Sequence, residues 1–379
     1  GSMAPPPVLC ARLLLSVAPG AGKSFPKLTR GMSSSVNYQA WRVAQQEDGS
    51  FEGSERTLST DDLPHGGEGG GVLVRVSHSS LNYKDALSAS GNRGVTRKFP
   101  HTPGIDAVGT IVHEGDGGNN PPALVTGYDL GMNTDGGFGE NVRVPREWIV
   151  SPPPPAFVAE PEKAMIYGTA GLTAGLCVQK LLRMGADSSR GERVAVTGAS
   201  GAVGSVAVEI LANLGFRVVA ISGKSSHRDK LMDLGAEEVV GREALEASKK
   251  PLVKPTFDHA VDTVGGGPLA ELLKQIRPGG SVACCGLVAG VGLETTVLPF
   301  ILRGVNLLGV DSVEIPLEQK RAVWGKLAGE WACPKTEASA VSIGRHQLDG
   351  YLKAFLKGES SGKIVLDHSL TKSDAKSNL

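Results

Sequence analysis

Hydrophobic and polar positions along this chain keep two rhythms, and the change between them falls at a run of prolines. From residue 38 to 150 the apolar residues come in short stretches broken by glycine-rich turns. "GVLVRVSHSSLNY", "AVGTIVHEG" and "GENVRVPREWIV" alternate as half-buried strands do, and "EGDGGNNPPA" is a polar loop. "SPPPPAF", Ser151 to Phe157, is a break that no helix interior or central strand can cross, because proline lacks the N–H and fixes φ. It marks a candidate domain edge.

Beyond that edge the period lengthens. "EKAMIYGTAGLTAGLCVQKLLRMG" places its apolar residues at helical spacing. Then strands and helices alternate. Arg193–Thr197 reads as a strand, Val203–Leu214 as a helix and Arg217–Ile221 as a strand, and "RDKLMDLG" as a helix ending at Gly235. "DHAVDTV", "PLAELLKQIR" and "SVACCGL" continue as strand, helix, strand. Such alternation predicts an α/β domain, a doubly wound parallel sheet covered on both faces. From about Gly304 the chain predicts helices over Glu318–Leu327 and His346–Leu356 and a last strand, Lys363–Leu366. There is no internal repeat.

Composition adds bounds. A chain of 379 residues exceeds what one core usually organises, which predicts two domains. A formal net charge of +0 gives no reason to expect a nucleic-acid partner, and no apolar run reaches the roughly 18 residues of a membrane span, so none is expected to cross one. The five cysteines are scattered and odd in number, with no C-x-x-C pair, so a structural zinc is not expected and a reducing compartment is. Cys177, Cys284 and Cys285 are expected to be buried as small apolar residues. The N-terminus stands apart. Gly1-Ser2 ahead of Met3 looks like an expression scar, and Met3 to Gln46 holds no acidic residue. Basic residues spread through Ala, Ser, Leu and Pro match an organelle transit peptide, plastid or mitochondrial. If the tail is no address, a cytoplasmic protein is expected. Residues 1–36 are set outside the fold and expected to be disordered, and residues 371–379 are expected to be a flexible tail.

The chemistry starts at "VAVTGASGAVGSVAVEILANLG". Gly198, Gly201 and Gly204 follow a strand and open a helix. A dinucleotide pyrophosphate sits against such a helix N-terminus, where free N–H groups and the dipole favour an anion and side chains would block the approach. Ser200, Gly201, Ala202 and Val203 are the candidate contacts. The next strand selects the dinucleotide. An NAD site usually ends that strand with Asp or Glu for the ribose 2′-hydroxyl. Here Ser222, Gly223 and Lys224 stand there, with Arg228 one turn on, and a hydroxyl and two cations suit a 2′-phosphate. The expected cofactor is NADPH.

With both sites placed, the chain resembles a zinc-free member of the medium-chain dehydrogenase/reductase superfamily, in the acryloyl-CoA reductase (AcuI/YhdH-type) branch of quinone-oxidoreductase-like proteins. The matching stretches are "SSLNYKDAL", "FPHTPGIDAVGT", "AMIYGTAGLTA", "VTGASGAVGS", "AVDTVGG", "CCGLVAG", "TTVLPFILRGVNLLGVDSV" and "GKIVL", in order over about residues 38–366. The resemblance implies a GroES-like, mostly-β catalytic domain built from both ends of the chain, 38–164 and 304–370, around a Rossmann NADPH domain at 165–303. It implies a homodimer that reduces the C=C bond of acryloyl-CoA to propanoyl-CoA. It also implies cofactor contacts at Tyr83, Thr173, Thr263, Leu287, Ile301, Ser312 and Lys363, and places Arg303 near cofactor or substrate phosphates. Two departures stand out: Asn133-Thr134-Asp135 where relatives carry a His-Trp pair, and the loop Glu114–Tyr128.

Where zinc relatives carry Cys and Gly-His-Glu, this chain has "LNYKD" and "PGIDAVG", without a ligand set. Reduction of an enoyl thioester suits that: hydride reaches Cβ, an enolate forms, and Cα takes a proton. Asn82, Tyr83 and Asp85 are the candidate catalytic cluster, with Tyr83 donating to the substrate and the other two fixing it; water as the acid, with Asn82 and Asp85 in a turn or cap, is the alternative. Arg93, Arg97 and Lys98 could meet CoA phosphates or form a solvated loop. Two other functions fit: a quinone or enone reductase, and a non-catalytic NADPH-binding stress protein.

Overall fold

The computed structural model describes residues 35–64, 71–112, 120–359 and 362–371. The N-terminal segment expected to be a transit peptide, most of the loop after Val112 and the tail from residue 372 lie outside the described residues.

The N-terminal part contains β1 (Asn37–Gln45), β2 (Phe51–Ser59), β3 (Val72–Ser80), α1 (Tyr83–Ala89), β4 (Asp106–Ile111), β5 (Pro122–Thr126), β6 (Asn141–Val144) and β7 (Ile149–Val150). Then come α2 (Pro155–Ala159), α3 (Pro161–Arg183), β8 (Arg193–Thr197), α4 (Ala202–Asn213), β9 (Arg217–Ile221), α5 (Arg228–Asp233), β10 (Glu238–Val240), β11 (Phe257–Asp262), α6 (Gly266–Gln275), β12 (Ile276–Cys284), α7 (Leu298–Arg303) and β13 (Asn306–Gly309). The chain closes with α8 (Leu317–Leu327), α9 (Pro334–Ala338), β14 (Val341–Ile343), α10 (Leu348–Leu356) and β15 (Ile364–Asp367).

Two larger sheets result. The first runs β14-β15-β3-β4-β5-β7, with β6 also on β3. β15 pairs β3 antiparallel, with Val365 opposite Ser80, so both ends of the chain build one catalytic domain. Val74, Val76, Ala107, Val125 and Val142 form its buried face, one residue in two, as the alternation predicts. The second sheet runs β10-β9-β8-β11-β12-β13 with every pair parallel. Its central strands read "RVAVT" and "RVVAI" because helices cover both faces. Strand order reverses between β8 and β11, which opens a crevice at their C-terminal ends, the usual ligand position in such sheets.

Four details differ from what the sequence predicts. β13 belongs to the parallel sheet, pairing β12 through Leu307 opposite Val282, so that sheet extends past residue 303; "NLLG" is too short to announce a strand. α3 straddles the expected boundary at 164/165, and it bends at Gly168, where φ is 50° and ψ −157°. Cys177 is buried as expected, but Cys284 and Cys285 are only half-buried, because β12 ends there and opens on a cavity of about 480 Å³. The proline run also gives way to α2, which starts at Pro155, the first helical position where the missing N–H costs nothing.

The two domains are latched by Glu209 on α4. Its buried carboxylate accepts the N–H groups of Lys335 and Thr336 (2.9 Å each) and the Thr336 hydroxyl (2.6 Å), capping the N-terminus of α9.

Candidate cofactor cleft and active site

The glycine turn follows β8 directly. Gly198 has φ 57°, and a Cβ there would lie 2.4 Å from Thr263 Oγ1. A Cβ on Gly204 would lie 2.3 Å from the Gly198 carbonyl, so the first turn of α4 passes too close for a side chain. Gly201 is the N-cap, and Ser200, Ala202 and Val203 flank it, which leaves the first N–H groups of this 12-residue helix open to an anion. Thr263 packs beside the turn and donates to Thr197 O at 2.8 Å.

At the end of β9, Ser222 donates to Ser200 Oγ at 3.1 Å and accepts the Lys224 N–H at 3.2 Å. Lys224 Nζ reaches Gly358 O at 2.7 Å, and Arg228 donates to Val239 O, also at 2.7 Å. The sequence reading missed Arg242. Its guanidinium lies over Gly223, where a Cβ would come within 2.1 Å of Nε. Among the described residues it has no hydrogen-bond partner, while neighbouring Glu243 turns back to accept the Gly241 N–H at 3.0 Å. The signal is only a glycine at the strand end and an arginine 19 positions later in a 3₁₀ turn, Arg242–Leu245.

Tyr83 opens α1 and is 46% exposed, its hydroxyl without a partner among the described residues. Asn82 and Asp85 turn the other way. Asp85 is fully buried and accepts the N–H groups of Asn82 (2.8 Å), Gly104 (3.2 Å) and Ile105 (2.9 Å). Burial, then the nearby Asp106 carboxylate, pushes its pKa up to about 7. Asn82 Nδ2 donates to Ser80 Oγ and Asp106 Oδ2, both at 2.9 Å. Asp106 is the hub: it also accepts from the Ser80 hydroxyl and, at the α3 bend, from the Thr169 N–H (2.9 Å) and hydroxyl (2.6 Å). A Cβ on Gly168 would lie 2.8 Å from Asp106 Oδ2, so the bend is what admits this carboxylate. Asn82 and Asp85 therefore set the position of α1 and its Tyr83 from behind. Lys363 is buried nearby, donating to Tyr167 O at 3.4 Å, with its pKa pulled down to about 8 by desolvation.

The network continues to the cofactor candidates on α3 and beyond β13. The Thr173 hydroxyl donates to Thr169 O (2.7 Å) and shares a hydrogen bond with the Ser312 hydroxyl (2.8 Å). Leu287 and Ile301 are strongly exposed, at 64% and 68%. Arg303 is placed otherwise than expected: its guanidinium donates to the carbonyls of Lys274 (2.7 Å), Ile276 (3.2 Å) and Val253 (2.6 Å) and so ties backbone together. Arg93 is likewise structural, lying over the Phe51 and Phe99 rings and donating to Arg97 O at 2.8 Å; Arg97 and Lys98 stay exposed. In the departing loop, Asp135 pairs with Arg42 at 3.0 Å and accepts the Thr102 N–H at 2.9 Å, and Asn133 accepts the Arg97 N–H at 3.0 Å.

Residues 68–154 match the alcohol dehydrogenase GroES-like domain, and residues 202–327 match the zinc-binding dehydrogenase family. The chain is 40% identical to acrylyl-CoA reductase AcuI of Ruegeria pomeroyi over 85% of this chain and 96% of that protein. The yhdH oxidoreductase of Salmonella enterica, solved in complex with NADP, superposes with a TM-score of 0.81 at 39% identity, covering 87% of this chain and 99% of that one. The yhfP protein of Bacillus subtilis, solved with NAD bound, gives 0.82 at 38% identity, covering 88% and 99%. The zinc-binding description does not fit the residues here. Asn82, Asp106 and Thr169 offer an amide, a carboxylate and a hydroxyl already bonded to one another, and no group of three or more His, Cys, Asp or Glu converges among the described residues.

Proposed function

Because the chain belongs to the medium-chain dehydrogenase/reductase superfamily, in the branch of acrylyl-CoA reductase AcuI and the yhdH and yhfP proteins, we propose that it is an NADPH-dependent oxidoreductase acting on the C=C bond of an enoyl thioester, acryloyl-CoA to propanoyl-CoA. The observation that carries this reading is the 40% identity to acrylyl-CoA reductase AcuI over 96% of that protein. NADPH when bound supplies the hydride for Cβ. The open N–H groups before α4 receive its pyrophosphate, and Ser222, Lys224 and Arg242 receive the 2′-phosphate. Relatives solved with NADP and with NAD make that choice of cofactor a property of these residues rather than of the fold.

Hydride addition leaves negative charge on the thioester oxygen, and the described residues offer no cluster of ligands for a metal to meet it. The exposed Tyr83 hydroxyl is the donor for that oxygen or the proton for Cα. Asn82, Asp85 and Asp106 hold α1 so that this hydroxyl does not reorganise during the reaction. Exposed Arg97 and Lys98 are available for the CoA phosphates.

The reading includes a homodimer. Among the described residues β13 is an edge strand with one side unpaired, and Val288, Val291, Val297, Ile301 and Leu302 are each at least 63% exposed. Such an edge and such exposed apolar residues suit pairing with a second copy. The experiment that tests the function is NADPH consumption with acryloyl-CoA, crotonyl-CoA and a quinone in parallel. Turnover of acryloyl-CoA well above the other two supports it, and preference for the quinone overturns it.

A further inference from the structure

Lys320, on α8, is fully buried and belongs to no part of the chemistry above. A buried ammonium is costly unless its donors are met. Its Nζ donates to Thr126 O at 2.7 Å and Val313 O at 2.9 Å, and lies 3.4 Å from the centre of the Tyr128 ring. None of these partners is a carboxylate; burial lowers its pKa to about 8, against the more distant charges of Asp106, Asp311 and Glu314. A methionine of similar length would fill the space without that cost. What the lysine adds is a bridge between two segments that no strand pairing joins.

One segment is the turn after β5 in the catalytic domain. Gly127 has φ 73°, and Tyr128, a side-chain-bearing residue, has φ 53°, a strained conformation held by its surroundings. Tyr128 stacks on Trp148 at 5.4 Å, donates its N–H to Val313 O at 3.1 Å and its hydroxyl to Ile315 O at 3.3 Å. A Cβ on Gly127 would sit 3.1 Å from Lys320 Nζ. The other segment, residues 310–316, leads from β13 to α8 and carries Ser312, which meets Thr173 at 2.8 Å. Thus Val313 O is gripped by both Lys320 and Tyr128, one residue after Ser312.

Thr173 lies on the hydrogen-bond chain that runs through Thr169 and Asp106 to Asn82, beside Tyr83, and not in the cluster of Ser200, Ser222 and Lys224 that meets the adenosine end. We propose that Lys320 is a positioning residue for the nicotinamide half of the dinucleotide, the half on the Tyr83 side, acting by fixing the 310–316 segment and so holding Ser312 against Thr173. This rests on the NADPH reading above. The Tyr128 ring faces the ammonium and spreads its charge, so the bridge needs a cation and not only a donor.

The test compares wild type with Lys320→Met, Lys320→Gln and Lys320→Arg. It measures affinity for NADPH and for adenosine 2′,5′-bisphosphate, which carries the 2′-phosphate but no nicotinamide, alongside thermal stability. Lys320→Met is expected to weaken NADPH at least about 10-fold while leaving the bisphosphate within about twofold. Lys320→Arg should recover most of the NADPH affinity and Lys320→Gln little of it. If Lys320→Met does not fold, the Gln and Arg pair carries the comparison. Unchanged NADPH affinity, or equal loss of both ligands by a folded variant, overturns the proposal. A wild type that binds neither ligand overturns the cofactor reading instead.

Discussion

Arg242→Ala should convert the cofactor preference more than substitution of any other cation at the adenosine end. Arg242 lies over Gly223 with no hydrogen-bond partner among the described residues, so a 2′-phosphate gains its full contact. Lys224 already spends a donor on Gly358 O and Arg228 one on Val239 O, which anchors both side chains away from full engagement of a phosphate. A charge-assisted contact to phosphate contributes about 1.5–3 kcal/mol, and exposure and salt move this site toward the lower figure. NADPH affinity should therefore fall roughly 10-fold, NADH affinity should stay level, and the gap should widen at low ionic strength. Titration of protein fluorescence with each cofactor at two salt concentrations reads all three. Parallel losses for NADPH and NADH, or no loss for either, would refute the assignment of Arg242 to the 2′-phosphate.

Other outcomes follow from the same geometry. Tyr83→Phe should slow single-turnover reduction of acryloyl-CoA by about 100- to 1000-fold with little change in NADPH affinity, since one donor to a developing oxyanion is worth about 2.7–4 kcal/mol; a fall under threefold would make water the acid. Asp85 has its pKa raised from 3.8 to about 7 by burial, so its contribution to stability is full below 3.8 and is lost as pH rises toward 7. Denaturant titrations should then show wild type losing stability relative to Asp85→Asn across that window, and a constant difference would contradict this. A reporter fused to residues 3–36 should enter an organelle, and a reporter that stays cytosolic would remove the targeting proposal.

What was legible in the sequence was what local chemistry writes into neighbouring residues. Gly198, Gly201 and Gly204 announce the turn because each glycine answers a contact within six residues or from the adjacent strand. The strands β8 and β9 were readable because they are buried on both faces. The hairpin of β1 and β2 was not resolved, since "FEGSERTLS" is largely polar and mostly solvent-facing. Asn82 and Asp85 were recognisable as a polar cluster, but their inward direction depends on Asp106 and on the bend at Gly168, which a helical pattern conceals. Arg303 and Arg242 show the limit for cations: charge alone does not tell a residue that ties carbonyls together from one left open for a phosphate.

The central claim is that this chain delivers hydride from NADPH to an enoyl thioester without a metal. NADPH carrying deuterium at both C4 positions, incubated with acryloyl-CoA and a strong chelator, tests it most directly. The account predicts undiminished turnover and propanoyl-CoA with one deuterium, at Cβ. Turnover lost to the chelator and restored by zinc, or deuterium absent from Cβ, would contradict it.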